Sequence, residues 1–162
     1  GTNELIEKAK AAGINMVKCS SMGRLFDAVS ALLGICGKNT YEGECAEKLE
    51  ACAALSKKPC KFTPRLSPKE IIEEISKSDA PVQDRALGFH YMLAELILKI
   101  AKKYSVRQIA LSGGVFNNRI LTERALALLR ENGFCPYINE QVPTGDGGIA
   151  LGQAYIAALE EK

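Results

Sequence analysis

The sequence predicts a helix-rich α/β fold in a single lobe of 162 residues, with a small parallel sheet close to its end. Apolar residues recur at helical spacing through the first two thirds of the chain. The last third instead contains two short apolar runs, each followed by a glycine-rich turn and a new helical pattern. Hydrophobic residues make up 47% of the chain and charged residues 25%, which is typical of a domain with a packed core and excludes a disordered chain.

Residues 1–56 are expected to form three helices. Gly13 ends the first and Gly34 the second, because glycine readily adopts the left-handed conformation that stops a helix. In the second helix the apolar residues follow the i, i+3, i+4, i+7 pattern, which indicates one buried face. These residues are Met22, Leu25, Phe26, Val29, Leu32 and Leu33. The predicted helices are residues 4–12 after the cap Asn3, residues 22–33 after Ser20 or Ser21, and residues 44–55, with a brief extended link over residues 14–18.

Residues 57–66 are predicted to be a linker, since they contain two prolines and no sustained periodicity. A second helical segment is expected over residues 67–104. Ser67, Pro68 and Glu70 form a capping box that begins a short helix. The longest helix follows and is expected to lie at the centre of the lobe. Its apolar stripe is Val82, Ala86, Phe89, Leu93, Leu96, Ile97 and Ile100.

Residues 105–162 are predicted to form a βαβα unit that faces a ligand. Strands are expected over residues 107–111 and 134–138, with a helix between them that is capped by Asn117 or Asn118. Because a helix connects the two strands, we expect them to run parallel, with a right-handed crossover connection. Because two parallel strands are not stable alone, we expect helices on both faces of the sheet, completion by another polypeptide segment, or a homodimer that covers it.

Charge and cysteine content exclude several classes of protein. The formal net charge is only +2 and shows no basic stripe, so a nucleic acid is not an expected partner. The sequence contains no apolar run long enough for a membrane span and no signal-peptide pattern, so we expect a soluble, cytoplasmic protein. Its six cysteines include no C-x-x-C pair, and reduced, structural thiols are expected.

The two glycine-rich turns, at Gly113-Gly114 and at residues 145–148, are the strongest candidates for a binding site. Both follow strands, so they are expected at one edge of the sheet, where backbone N–H groups and helix N-termini favour phosphate. Asp146 in the second turn would repel a phosphate unless a divalent cation lay between them. Either turn alone is better explained as a tight turn or a helix cap, whereas the two together at one sheet edge support a binding site equally well; neither matches a P-loop or a dinucleotide fingerprint.

Other polar residues have both a functional and a structural interpretation. Asp27, one turn after Gly23, could accept hydrogen bonds from a ribose or a substrate, or could form a surface ion pair with Arg24. The loop over residues 41–44 would contact a ligand only if it faced the same cleft. His90, the only histidine, is interpreted as a hydrogen-bonded core residue.

Five short stretches, in order from about residue 14 to the end, carry a resemblance to a known family. They are residues 20–29 (SSMGRLFDAV), 41–43 (YEG), 89–90 (FH), 111–119 (LSGGVFNNR) and 146–153 (DGGIALGQ). Together they resemble the C-terminal lobe of the Kae1-like domain of the HypF carbamoyltransferases, which act in nickel-iron hydrogenase maturation. The fold that this implies is the second lobe of the actin-like, sugar-kinase-like (ASKHA) ATPase architecture.

The resemblance also implies an activity and a set of site residues. In that family carbamoyl phosphate and ATP give carbamoyl adenylate, and the carbamoyl group passes to the C-terminal cysteine of a HypE-type partner. The cofactors implied are ATP and a divalent metal, which could be iron, zinc or magnesium. Carried onto this sequence, the nucleotide or substrate contacts are Asp27, Gly43, Gly113, Gly114 and Asn118, and the metal ligand is Asp146. The resemblance identifies no catalytic residue.

The sequence also departs from complete members of the family. Their acylphosphatase-like domain, zinc module and adenylate-forming domain are not present, nor is the histidine pair that the first lobe supplies to the metal. We therefore expect this lobe to be inactive alone. Two alternatives remain open: a non-catalytic lobe that docks a partner protein, and a lobe of the related transferases that make threonylcarbamoyladenosine in tRNA.

Overall fold

A computed structural model describes residues 2–14 and 19–160 of the protein. In this part of the chain, helices surround a core and a two-stranded parallel sheet follows them, which confirms the predicted helix-rich α/β class. The helices are α1 (Thr2–Ala11), α2 (Met22–Leu32), α3 (Glu44–Ala54), α4 (Pro68–Ser76), α5 (Val82–Ala101), α6 (Arg119–Glu131) and α7 (Ile149–Glu160). The strands are β1 (Gln108–Leu111) and β2 (Cys135–Ile138), and 3₁₀ turns span Gly114–Asn117 and Asp146–Gly148.

Helix α5 is the centre of the core, as its apolar stripe predicts. It packs against α3 on one side and α6 on the other, so residues outside the stripe, such as Leu87, Met92 and Ala94, are buried as well. Ile100, the last residue of the predicted stripe, is instead exposed. The difference arises because burial on α5 depends on two neighbouring helices, whereas the periodic pattern assumes one buried face.

The N-terminal helices differ from the predictions mainly at their ends. Helix α1 begins at Thr2, so Asn3 lies inside it rather than capping it. Residues 15–18 of the predicted extended link lie outside the described residues. Ser21 caps α2, and its Oγ accepts the N–H of Arg24 at 3.4 Å. Leu32, assigned to the buried face of α2, is 40% exposed.

The expectation that all cysteines are reduced is wrong for one pair. Cys36 and Cys45 form a disulfide across a Cα–Cα distance of 5.1 Å. Cys36 follows the turn that ends α2, and Cys45 lies in the first turn of α3; because these helices pack side by side, the two thiols meet. Among the described residues the remaining cysteines are free: Cys19, Cys52, Cys60 and Cys135.

Residues 57–66 contain no helix or strand, but they are held against α5. The Cys60 N–H donates to the carbonyl of Asp84 at 3.0 Å, and the Ser56 hydroxyl donates to the Asp84 carboxylate at 2.6 Å. Gly88 lies directly under this segment, since a Cβ built there would be 2.5 Å from the Cys60 carbonyl oxygen. The division of the chain into the segments 1–56, 57–66, 67–104 and 105–162 stays a prediction.

The sheet is parallel, with Gln108 opposite Cys135 and Leu111 opposite Ile138. It is not enclosed by helices on both faces within the described residues. Five of the eight strand residues are exposed, and every residue of α7 is exposed although the helix is largely apolar. Completion by another segment, the second option, therefore stays a prediction. No helix within 2–14 and 19–160 is both long and apolar enough to cross a bilayer.

We expect Gly88→Ala to destabilise the protein by about 2 kcal/mol, because the added methyl group must displace the backbone of the segment packed over α5. The free energy of unfolding in urea measures the effect. Gly152→Ala is the matched control: it is also a helix-interior substitution, but a Cβ at Gly152 meets nothing within 4 Å. Equal stability of the two variants would show that the close contact at Gly88 has no energetic consequence.

Candidate functional site

A cleft of about 800 Å³ lies between α2, the start of α3 and the two glycine-rich turns. All six residues that the sequence singles out line it: Asp27, Gly43, Gly113, Gly114, Asn118 and Asp146. The condition set for the loop before α3 is also met, since Glu42 lines the same cleft. Residues about 120 positions apart in the chain thus converge on one hollow, although their roles in binding stay predictions.

The two glycine-rich turns contact each other directly. The Gly113 N–H donates to the carbonyl of Thr144 at 2.8 Å, and the Thr144 hydroxyl donates to the Asn117 side-chain oxygen at 2.8 Å. A Cβ at Gly145 would be 3.3 Å from the Gly114 Cα, so a side chain there would push the turns apart. The absence of side chains therefore allows the two backbones to approach, in addition to leaving room for a ligand.

This contact corrects one part of the phosphate prediction. The Gly113 N–H already has an acceptor, so it cannot also bind a phosphate in this conformation. Gly113 instead allows the backbone to make this turn, because its φ of +109° is strained for any residue with a side chain. Within the described part of the chain, the N–H groups of Gly114 and Val115 have no acceptor, so they are among the groups available to a ligand.

The N-terminus of α6 is already occupied by protein groups. Asn118, and not Asn117, is the cap: its Oδ1 accepts the Leu121 N–H at 2.9 Å. A carboxylate oxygen of Glu50, from α3, accepts the Ile120 N–H at 3.0 Å. The expectation that a helix N-terminus faces the phosphate is therefore not met at α6, because a carboxylate takes that position.

His90 is a hydrogen-bonded core residue, as predicted, and in the structure both of its ring nitrogens have a partner. It is fully buried in the middle of α5, with Nδ1 2.8 Å from the Ala86 carbonyl oxygen and Nε2 3.0 Å from Asn118 Nδ2. Burial lowers the pKa of His90 to about 4, so the ring is neutral at physiological pH. The sequence indicated the burial, but not that the bond reaches a residue of the cleft.

The loop that carries Glu42 and Gly43 to the cleft is fixed by polar contacts at its base. The buried Glu44 carboxylate accepts the N–H and the hydroxyl of Thr40, and Lys48 Nζ donates to it at 2.7 Å. These bonds lower the pKa of Glu44 to about 2. Gly43 itself has a φ of +85°, so the turn into α3 requires glycine or a strained residue.

The cleft is acidic. Five carboxylates line it, those of Asp27, Glu42, Glu47, Glu50 and Asp146, against the single guanidinium of Arg24. The alternative ion pair of Arg24 with Asp27 is not formed in the described part of the chain. Polyphosphates are strongly anionic, so cations must come from elsewhere if this surface is to hold one.

The described residues do not form a complete metal site. Asp146 is exposed at the cleft and offers one carboxylate, and no group of three or more histidine, cysteine, aspartate or glutamate side chains in the described ranges is arranged to hold an ion. A single carboxylate does not select a transition metal. Asp146 could therefore serve only as one ligand among others from outside these residues.

Three residues of the site have no signal in the sequence. Glu50 lies on α3 and reaches α6 across 70 positions, Thr144 joins the two turns, and Phe26 lines the cleft while its ring packs edge-on against His90. Their roles depend on partners that are distant in the chain. Only the T-G-D-G-G run could have drawn attention to Thr144.

Comparison with known proteins first defines the class. Residues 1–153 match the family described as "Carbamoyltransferase, Kae1-like Domain, second subdomain", and the chain belongs to that family. Two similar proteins within this class are carbamoyltransferases named HypF. The chain is 35% identical over 157 residues to the "Probable carbamoyltransferase HypF" of Methanocaldococcus jannaschii, covering 88% of this chain and 20% of the relative. It is 36% identical over 167 residues to the carbamoyltransferase HypF of Rhodobacter capsulatus, covering 97% and 22%.

Solved structures agree with the family and the fold. The crystal structure of T. kodakarensis HypF superposes with a TM-score of 0.83 at 31% identity, and covers 96% of this chain and 22% of that one. A full-length HypF in a phosphate- and nucleotide-bound form gives a TM-score of 0.81 at 34% identity, with the same coverage. The chain thus spans about a fifth of the length of these relatives.

We expect the free energy of unfolding to fall by about 2 kcal/mol between pH 7 and pH 5. His90 titrates near 6.5 in the unfolded chain and at about 4 in the folded one. Between these values the unfolded state binds more protons, so acid favours unfolding, and the stability present above pH 6.5 is lost towards pH 4. Because this is the only histidine, no other side chain with an ordinary pKa has its titration midpoint between pH 7 and pH 5. Urea unfolding at several pH values measures the slope.

The control for this prediction is His90→Gln, which removes the titrating ring. Its stability should be nearly constant from pH 7 to pH 5. A wild-type protein with no slope in that range would mean that His90 is not buried in its neutral form.

Proposed function

We propose that the chain is the nucleotide-facing lobe of a HypF-type carbamoyltransferase. The complete protein would use carbamoyl phosphate and ATP to form carbamoyl adenylate, and would transfer the carbamoyl group to the C-terminal cysteine of a HypE-type protein. The observation that carries the proposal is the convergence of Asp27, Gly43, Gly113, Gly114, Asn118 and Asp146 on one cleft in a member of this family. A nucleotide-bound relative with the same fold supports the ligand class.

The residues that line the cleft would contact different parts of a nucleotide. Asp27, half-buried on α2, is a hydrogen-bond acceptor for ribose hydroxyls, and Gly23 one turn earlier leaves space beside it. The free N–H groups of Gly114 and Val115 would contact phosphate oxygens. Fixed donors and acceptors of this kind would orient the carbamoyl carbon for attack by the cysteine thiolate. In that step the C–S bond forms as the C–O bond to AMP breaks.

The acidity of the cleft supports the view that this lobe is inactive alone. With five carboxylates and one guanidinium, the lining repels a triphosphate, so cationic groups would have to come from the rest of the protein. A divalent metal held partly by Asp146 would be one such group, and would neutralise phosphate charge when bound. This distribution of charge fits the second lobe of an ASKHA-type fold, whose site the first lobe would close. We expect the complete protein to work in the cytoplasm.

We expect Asp27→Asn and Asp146→Asn to lower ATP-dependent carbamoyl transfer by about tenfold or more in the whole protein that contains this chain. Asparagine keeps the shape of aspartate and removes its charge, so the change reports on the carboxylate. Transfer of the carbamoyl group from carbamoyl phosphate to a HypE-type acceptor in the presence of ATP measures the rate. Asp79→Asn, at an exposed residue outside the cleft, is the control.

Other outcomes of the same assay separate the alternatives. Unchanged rates in both cleft variants would end the site assignment. Absence of nucleotide binding by the whole protein would favour a lobe that only docks a partner. ATP consumption that depends on tRNA would favour the threonylcarbamoyl transferases, which the near-neutral charge of this chain does not favour.

We also propose that the 162-residue chain alone self-associates through its uncovered sheet and α7. Apolar side chains are exposed there, among them Tyr137, Ile138, Leu151, Tyr155 and Ile156. Exposed apolar side chains of this kind favour association in water. Sedimentation over a wide concentration range should show a dimer, which Ile156→Lys should weaken. A strict monomer at all concentrations would contradict the proposal.

A further inference from the structure

We propose that His90 is a positioning residue for the glycine-rich turns of the cleft: from the middle of α5 it holds the side chain of Asn118, and through it the start of α6. The inference rests on the proposed function, since it concerns how the same cleft keeps its shape. His90 does not line the cleft, so it would act through its neighbour.

The hydrogen bonds fix the ring and the amide together. The Ala86 carbonyl can only accept, so Nδ1 of His90 carries the hydrogen and Nε2 is an acceptor. Asn118 therefore presents its Nδ2 to His90, which leaves its Oδ1 to accept the Leu121 N–H. An amide flipped by 180° would lose both bonds. The orientation of Asn118 is thus set by a residue of the core.

Packing alone does not explain a histidine at this position. The ring lies among apolar groups, with its centroid 5.3 Å from that of Phe26 and 5.8 Å from that of Phe89. A methionine would fill a similar volume without the cost of burying a polar ring. The bond to Asn118 is what the imidazole adds, and a neutral ring is required for it, because a protonated Nε2 could not accept.

Asn118 transmits this support to both turns. Its backbone N–H donates to the Val115 carbonyl at 3.1 Å and closes the 3₁₀ turn after Gly113. Asn117, next in that turn, accepts from the Thr144 hydroxyl, and the Thr144 carbonyl accepts from Gly113. Hydrogen bonds, together with the backbone of residues 113–118, therefore connect the core histidine to the two glycine-rich turns at the cleft.

The test compares two substitutions of nearly equal size in the whole protein. His90→Gln keeps an oxygen acceptor at about the distance of Nε2, whereas His90→Met has none of comparable strength. Asn118→Asp removes the bond from the other side, since aspartate can still cap α6 but has no N–H to donate. Ile75→Val is the control for lost stability, because Ile75 is fully buried in α4, away from the cleft.

We expect His90→Met to raise KM for ATP about tenfold, by more than it changes kcat, as loss of one buried hydrogen bond would do. His90→Gln should restore KM to within about twofold of wild type, and Ile75→Val should leave it unchanged. Asn118→Asp should resemble His90→Met, and the double variant should be no worse than either single one. An unchanged KM in His90→Met, or a His90→Gln variant as impaired as His90→Met, would overturn the proposal.

Amide hydrogen exchange in the segments 113–118 and 144–146 gives a second readout that does not depend on catalysis. Exchange should be faster than in wild type in His90→Met and Asn118→Asp, but not in His90→Gln or Ile75→Val. If the wild-type protein failed to use ATP, the proposed function would fail, while the exchange rates would still decide whether His90 holds the turns. Equal exchange in all variants would show that it does not.

Discussion

The N-terminus of α6 is the point on which the candidate site depends. The N–H groups of Ile120 and Leu121 have no partner within the helix and donate to Glu50 of α3 and to Asn118 at the cap. Asn118 is itself hydrogen-bonded to His90 of α5. Helices α3, α5 and α6 thus meet where α6 begins, because the first N–H groups of a helix need acceptors from outside its own backbone hydrogen bonds. The turn between β1 and α6 starts from this fixed point, and the second turn is bonded to the first through Thr144.

Two surfaces of the lobe lack partners among the described residues: the acidic cleft, and the sheet together with α7. The cleft gathers carboxylates with a single guanidinium to offset them, and the sheet and α7 expose apolar side chains to solvent. Anions and apolar surface both require partners, cationic in one case and apolar in the other. The chain matches about a fifth of its relatives' length, so the rest of such a protein is a natural source of both.

Local chemistry explains which parts of the fold could be predicted. Ser21, Ser67 and the glycines that follow helices act within a few residues, so the caps and the order of the elements follow from sequence alone. The exposure of Ile100 and Leu32 could not be predicted in this way, because it depends on which neighbours cover each face of a helix. The Cys36–Cys45 pair likewise follows from the packing of α2 on α3, and not from cysteine spacing.

The sequence by itself determined the fold class, the parallel strand pair and the two glycine-rich turns at one edge of the sheet, since strand, turn and helix signals are local and parallel strands bring their carboxyl ends to one edge. Asp27 and Gly43 are assigned to the same site only through the family resemblance. Tertiary structure alone decided which groups remain available there. It assigned the Gly113 N–H to Thr144 and placed Glu50 at the start of α6. These bonds join residues tens of positions apart, and a hydrogen bond depends on distance and angle in space, which no spacing along a chain specifies.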